Sequence, residues 1–136
     1  LNATIPEEKD PLELNMEDKQ KIESGVQLYF DSMYESSPDK VRKAFHADAK
    51  ITGYLQGRLS EMSVEDFASF VESQQPSPKD KGEEILLEIV SCDISGSTAS
   101  VRVRDGYIGL TFLDTLSFLK VDDEWVIYNK LFHVES

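Results

Sequence analysis

Four polar side chains could carry acid-base chemistry or hold a small ligand: His46, Asp114, Asn129 and His133. Each histidine can titrate near pH 7, so it can donate or accept a proton under physiological conditions. A carboxylate in an apolar cavity has its pKa pushed upward, which makes Asp114 the best general-base candidate. We assign Asp114 and His46 as candidate catalytic residues; for His46, a place at a helix C-terminus favoured by the helix dipole stays open.

The last two strands bring three of these side chains together if Asp122 and Asp123 form a two-residue turn. Regular pairing places Lys120 opposite Trp125, and alternate residues then share one face. That face carries Phe112, Leu116, Phe118, Trp125, Ile127 and Leu131, with Asp114, Asn129 and His133 among them. Buried polar groups must be hydrogen-bonded or hydrated. The three polar residues therefore either bond to one another and to the backbone, or line a pocket.

The expected pocket lies between this face and the first helix. Its candidate ligand-binding residues are Tyr29, Met33, His46, Tyr54, Phe67, Phe112, Asp114, Leu116, Trp125, Ile127, Asn129 and His133. Tyr29, Tyr54 and Tyr107 could each donate a hydrogen bond to a developing oxyanion, or serve in the core or at the rim. Such a site suits a flat, largely apolar molecule and not a phosphorylated one, because Lys120 is the only cation expected there.

The opposite face of the same hairpin holds a row of apolar side chains that no remaining helix can cover. These are Leu113, Leu119, Val126, Tyr128 and Phe132. An uncovered apolar patch commonly marks an interface. We therefore expect a homodimer formed through this sheet face.

Composition narrows the class of partner. The 136 residues suit one domain, and 26 acidic against 14 basic residues give a net charge of −12. This charge argues against nucleic acid and against anionic membrane surfaces. Two distant histidines and one cysteine predict no metal site, and we expect no cofactor.

The lone Cys92 cannot form an internal disulfide, so no oxidising compartment is implied. We favour the cytoplasm. A removed signal peptide stays open because the sequence begins at Leu1.

The elements that position these residues are three helices followed by strands. Residues 1–14 are acidic, contain two prolines and predict a frayed tail, and residues 15–136 form one domain. Asn15 is the expected cap of the first helix, Pro38 stands at the start of the second, and Ser63 with Asp66 opens the third.

One strand precedes the third helix and four follow it. We expect strands over 49–56, 85–94, 98–104, 107–121 and 124–133, with Asp105 and Gly106 as a break. In the strand over 85–94, both alternating sets of side chains are apolar, which predicts that both faces of the strand are buried. Helices packed on one face of a curved antiparallel sheet give an α+β fold.

Two motifs resemble a known family. Phe45-His46-Ala47-Asp48-Ala49 is similar to the Phe-His-Pro-Asp-Ala segment of the putative lumazine-binding family, within the nuclear transport factor 2-like (SnoaL-like) superfamily. The terminal hairpin is similar as well, and the resemblance spans 16–134. Its matching residues are Phe112, Asp114, Leu116, Leu119-Lys120-Val121-Asp122, Trp125, Ile127, Asn129-Lys130 and Phe132-His133.

The resemblance implies a cone-shaped, cystatin-like fold with a cavity between helices and sheet, and usually a homodimer. It leaves the activity open, because function resides in the site and not in the fold. We favour a small-molecule-binding domain. A cofactor-free acid/base lyase or isomerase acting on a hydrophobic carbonyl compound (ketosteroid-isomerase-like or dehydratase-like) and a non-catalytic structural dimer module are the alternatives.

Overall fold

The computed structural model describes residues 10–136, which form three helices and a six-stranded sheet. The elements are α1 (Pro11–Tyr34), α2 (Pro38–Ala44), β1 (Phe45–Leu55), β2 (Arg58–Ser63), α3 (Val64–Ser73), β3 (Leu87–Ser95), β4 (Thr98–Tyr107), β5 (Leu110–Val121) and β6 (Glu124–Val134). The helices lie on one face of a curved sheet, which confirms the α+β class.

Helix starts follow local capping chemistry. Ser63 with Asp66 forms the reciprocal capping box of α3, and Pro38 stands in the first turn of α2, both as predicted. The cap of α2 is Ser37. The expected cap at Asn15 is wrong: the Asp10 side chain accepts from the Leu12 amide, and Pro11 occupies the first turn. The segment 11–14 is therefore helical, and residues 1–9 of the predicted tail lie outside the described residues.

The strand order is β2-β1-β6-β5-β4-β3. Neighbours are antiparallel except β1 and β6, which run parallel. Sequence patterning missed β2, which pairs with β1 across a turn at Gln56 and Gly57. The expectation that both faces of β3 are covered is also wrong, because β3 is an edge strand with exposed Ile89 and Val90.

The predicted break at Asp105 and Gly106 is wrong. Strand β4 continues through both residues to Tyr107, and the turn falls at Ile108 and Gly109, both with positive φ. Asp105 therefore continues the inward-facing set of alternate residues on β4 and is only 1% exposed.

The final hairpin contains one extra residue. Val121 opposes Glu124 and Phe118 opposes Ile127, as predicted, but Ser117 opposes Asn129. Tyr128 is thus the unpaired residue of a β-bulge, which shifts the facing of every residue after it. Beyond the bulge, Lys130, Phe132 and Val134 face the helices, and Asn129, Leu131 and His133 face outward.

Candidate functional site

Three charged side chains lie on the inner face of neighbouring strands. Asp105 on β4, Asp114 on β5 and Lys130 on β6 are 1%, 0% and 5% exposed. Asp105 pairs with Phe112 and is diagonal to Asp114, while Asp114 pairs with Phe132 and is diagonal to Lys130. Diagonal neighbours on one face lie close enough for polar side chains to interact.

Helix α1 supplies a fourth polar group. The buried Tyr29 hydroxyl donates a hydrogen bond to Asp114 Oδ2 over 2.7 Å. Burial raises the pKa of Tyr29 well above its ordinary value, and the carboxyls of Asp105 and Asp114 raise it further. Tyr29 therefore remains a donor over the physiological pH range.

Asp105 holds a proton at neutral pH. Burial raises its pKa to about 9, and the neighbouring Asp114 carboxyl adds to this rise, while the positive charge of Lys130 opposes it. Both oxygens of Asp105 and Oδ1 of Asp114 find no partner within residues 10–136. A protonated Asp105 can donate to Asp114 Oδ1, which leaves one Asp105 oxygen for a ligand or water.

Lys130 is held by aromatic rings. Its Nζ lies 4.7 Å from the ring centroid of Tyr29, 4.8 Å from that of Phe67 and 5.8 Å from that of Phe132. Cation-π attraction accounts for an ammonium in this environment. Across the described part of the chain, no hydrogen bond or ion pair engages this nitrogen.

Asp105 and Lys130 line a cavity of about 70 Å³ at one end of the sheet. The lining consists of Met33, Ile51, Leu55, Met62, Phe67, Phe70, Asp105, Tyr107, Ile108, Phe112, Lys130 and Phe132. The buried Tyr107 hydroxyl has no partner among the described residues, and burial raises the pKa of Tyr107. The cavity is therefore apolar with three polar groups, the arrangement typical of a small-molecule site.

The cavity is small and opens at a partly exposed rim. A water molecule needs roughly 10–15 Å³ of such space, and drug-sized ligand sites run to roughly 300–1,000 Å³. Leu55, Met62 and Phe70 in the lining are only half-buried, and Ile108 is exposed. The enclosed space thus fits a molecule of a few heavy atoms, and a longer one would extend past this rim.

Four grooves on the described part of the chain are larger than this cavity. One, of about 860 Å³, lies between α1 and the start of β6, and another, of about 570 Å³, lies across β3, β4 and β5. Neither of these, nor a groove of about 410 Å³ beside β1 and β2, is lined by Asp105, Tyr107 or Asp114, the described residues that carry buried polar atoms without a partner. A groove of about 270 Å³ is lined by Tyr107 but by neither aspartate. The smaller internal cavity is therefore the candidate site.

Several of the expected site residues surround this cavity. Met33, Phe67 and Phe112 line it, and Tyr29 and Asp114 form the buried hydrogen bond beside it. Leu116 and Ile127 are buried in the core. Trp125 lies toward the other end of β6, where its Nε1 donates to Asp18 Oδ1 over 3.0 Å.

The other expected polar residues lie outside the cavity. Asn129 and His133 face outward because the bulge at Tyr128 shifts the strand, and Tyr54 is 65% exposed. His46 is half-buried; its ring lies 4.8 Å from that of Tyr128, and its Nδ1 accepts from the Asp48 amide. The prediction that His46, Asn129 and His133 share a cavity with Asp114 is therefore wrong.

Sequence reasoning missed Asp105 and Lys130. The Asp105-Gly106 dipeptide predicts a break in the strand because Asp-Gly is a strong turn signal. The alternation of Ala99, Val101 and Val103 continues through Asp105, and this signal could have placed it inward. No comparable signal marks Lys130, because the bulge that turns it inward has no distinct composition.

Residues 10–136 contain neither a metal-binding cluster nor a membrane-spanning helix. No group of three His, Cys, Asp or Glu side chains there is arranged to hold a metal ion. None of the helices in that range has the length and apolar character needed to cross a membrane.

Comparison with known proteins places the chain in a family. The putative lumazine-binding family model matches residues 17–133. An aldolase, FrzH of Cladobotryum sp., is 24% identical over 105 residues, which cover 77% of this chain and 82% of that protein.

Solved structures of nuclear transport factor 2-like proteins of unknown function share the fold. One from Silicibacter pomeroyi has a TM-score of 0.81 at 20% identity, covering 89% of this chain and 98% of its own. One from Methylobacillus flagellatus has a TM-score of 0.78 at 27% identity, covering 88% and 94%. With a family match over most of its length and this shared fold, the chain belongs to the putative lumazine-binding family of the nuclear transport factor 2-like superfamily.

Proposed function

We propose that the protein binds a small, largely apolar molecule in the cavity bordered by Asp105 and Lys130. The observation that carries this proposal is the pair of Asp105 oxygens, buried without a partner in a cavity that also contains the Lys130 side chain. A buried polar group without a partner costs roughly 1–3 kcal/mol, so such groups persist where water or a ligand completes them.

The lining indicates the chemistry of the ligand. Met33, Phe67 and Phe112 offer apolar contact, while the Lys130 ammonium calls for a hydrogen-bond acceptor. Protonated Asp105 can meet a donor or an acceptor. A ligand with a short apolar body and one carbonyl or hydroxyl oxygen matches these groups.

The chain's three methionines provide the test. Met33 and Met62 line the cavity, and Met16 is exposed on α1. In a protein with ¹³C-labelled methionine methyl groups, we expect short aliphatic alcohols and aldehydes to shift the Met33 and Met62 signals and leave Met16 unmoved. Equal shifts at all three signals, or none at any concentration, would contradict the proposal.

A blocked cavity gives the matched control. Met62→Trp places a large ring at the half-buried rim and should abolish the ligand-induced shift of the Met33 signal. Met16→Trp adds the same ring at an exposed site and should leave that shift intact.

We also propose a second copy of this chain as a partner, through the outer sheet face. Phe132 was expected on that face, but because of the bulge it lines the cavity instead. Leu131 occupies the outer position in its place and is 50% exposed. Tyr128 is 42% exposed, and Leu113 and Val126 are half-buried beside it. Together they support an apolar contact surface.

The name of the Cladobotryum relative suggests carbonyl chemistry. At 24% identity this supports a carbonyl-bearing ligand more than a shared reaction. We therefore propose binding as the function.

A further inference from the structure

We propose that Lys130 forms an imine with a small apolar aldehyde or ketone held in the cavity. This inference rests on the proposed function, because it assigns a covalent step to the same site. It makes Lys130 a nucleophile and names the class of ligand as carbonyl compounds.

The position of the amine is the first argument. Among the lysines at positions 10–136, Lys130 alone is buried, and its nitrogen lies among the rings of Tyr29, Phe67 and Phe132. No carboxylate is within ion-pair distance of that nitrogen in this part of the chain. The amine is therefore free to meet a molecule that enters the cavity, and lysines in apolar pockets are the ones that form Schiff bases in proteins.

The neighbouring acid is the second argument. The Lys130 ammonium first gives one proton to water, the resulting amine adds to the carbonyl carbon, and one amine proton then passes to the oxygen to give a carbinolamine. Loss of water then requires an acid that still holds its proton at neutral pH, and Asp105 lines the same cavity and holds one. Asp105 gives its proton to the hydroxyl, water leaves, and a protonated imine remains opposite the Asp105 carboxylate.

The surroundings suit the product as well as the free lysine. The protonated imine retains the positive charge, so the three aromatic rings hold it as they hold the ammonium. The carboxylate formed at Asp105 offsets that charge within the cavity. The apolar lining accommodates the short carbon chain, and a volume of about 70 Å³ favours a chain of a few carbons.

Trapping with a reductant tests the step. The protein is incubated with limiting butanal and cyanoborohydride, and each lysine is then scored by peptide mass mapping. We expect Lys130 to be alkylated at least about tenfold faster than any exposed lysine, because binding in the cavity raises the local concentration of the aldehyde. Butan-1-ol, which has the same apolar chain but no carbonyl, should slow this labelling by competition.

Variants separate this step from simple reactivity. Lys130→Arg keeps the positive charge but cannot form an imine, so it should remove the rapid labelling; Lys50→Met, at an exposed position on β1, should leave it unchanged. If Lys130→Arg does not fold, the relative labelling of each lysine in the parent protein still tests the proposal. Labelling spread evenly over the exposed lysines would overturn the proposal.

The methionine signals distinguish failure of this inference from failure of the proposed function. If butanal shifts Met33 and Met62 but leaves no adduct at Lys130, binding stands and the imine is overturned. If butanal neither shifts these signals nor labels Lys130, both proposals are overturned.

Discussion

Tyr29 and Asp114 form the one hydrogen bond that the structure shows within the buried polar cluster. The hydroxyl belongs to α1 and the carboxylate to β5, so this bond joins the helical layer to the sheet. Asp114 has only this donor among the hydrogen bonds of the described residues, while Asp105 depends on its own proton. Removing the donor of Asp114 should therefore change stability at a fixed pH, whereas replacing Asp105 should change how stability depends on pH.

Tyr29→Phe should lower the free energy of unfolding by about 1–3 kcal/mol, because it leaves a buried carboxylate without its donor while preserving the ring. Urea unfolding monitored by circular dichroism measures the change. Tyr54→Phe, at an exposed tyrosine on β1, should change stability by less than about 0.5 kcal/mol. A Tyr29→Phe protein as stable as the parent would show that water replaces the hydroxyl.

Asp105 should make stability fall as the pH rises. Folded Asp105 keeps its proton up to about pH 9, whereas an unfolded aspartate loses it near 3.8, so the folded state binds more protons in between. Each pH unit within that interval then costs the folded state up to about 1.4 kcal/mol.

Asp105→Asn should remove most of this slope, because an amide mimics the protonated acid and can still donate to Asp114. Unfolding free energies measured from about pH 5 to about pH 8.5 would show a flatter profile and a gain in stability at the alkaline end. Asp93→Asn, at an exposed aspartate on β3, should leave the slope unchanged. An unchanged slope in Asp105→Asn would place the proton elsewhere.

At the scale of elements, periodicity predicted the helices and the ends of the last hairpin. The apolar spacing of Ile22, Val26 and Met33 gave the buried face of α1, and Asp122 and Asp123 form the predicted two-residue turn, both with positive φ. Such turns match the twist of paired strands, and aspartate tolerates that conformation.

The candidate site was only half predictable, for two local reasons. Asp105 is in a dipeptide that ordinarily makes a turn, yet the flanking strands carry the chain past it to Ile108 and Gly109. Lys130 faces inward because Tyr128 is unpaired, and tertiary packing decides where such a bulge falls. Counting alternate residues from the turn therefore placed Asp114 correctly, because the extra residue is not on β5. The same count misplaced Lys130, which follows the extra residue on β6.

Paired substitutions on β6 test this register. Lys130→Glu would bury a third carboxyl beside Asp105 and Asp114 and should destabilise the fold by about 3–5 kcal/mol. Asn129→Glu, one residue earlier and facing outward near Lys50, should change stability by less than about 0.5 kcal/mol. Regular pairing without the bulge predicts instead that Asn129→Glu loses more unfolding free energy than Lys130→Glu. Chemical denaturation of both variants therefore distinguishes the bulged register from the regular one.

At the scale of the whole molecule, the concave and outer faces of the sheet differ in what covers them. The concave face packs against α1, α2 and α3 and leaves the cavity at one end. None of the three helices within residues 10–136 packs over the outer face, which presents Tyr128 and Leu131 to solvent. An association through the outer face would therefore leave the cavity and its rim accessible.

The proposed dimer predicts a concentration-dependent mass. Sedimentation at micromolar concentration should show a species of twice the chain's mass, and Tyr128→Asp should shift it to the monomer by placing an unpaired charge in the contact. Ile85→Asp, at an exposed apolar residue before β3, should leave the dimer intact. A monomeric parent protein would exclude the dimer, and a dimer unaffected by Tyr128→Asp would place the contact on another face.

The bulge at Tyr128 also changes how positions correspond between relatives. A relative whose strand lacks the extra residue could present the same cavity lining, since removing one unpaired residue keeps the facing of the residues on each side. An ungapped alignment through this position would then match Lys130 with an outward-facing residue of that relative. Inheritance of the site across the family should accordingly be traced by structural superposition, with a one-residue gap allowed at the bulge.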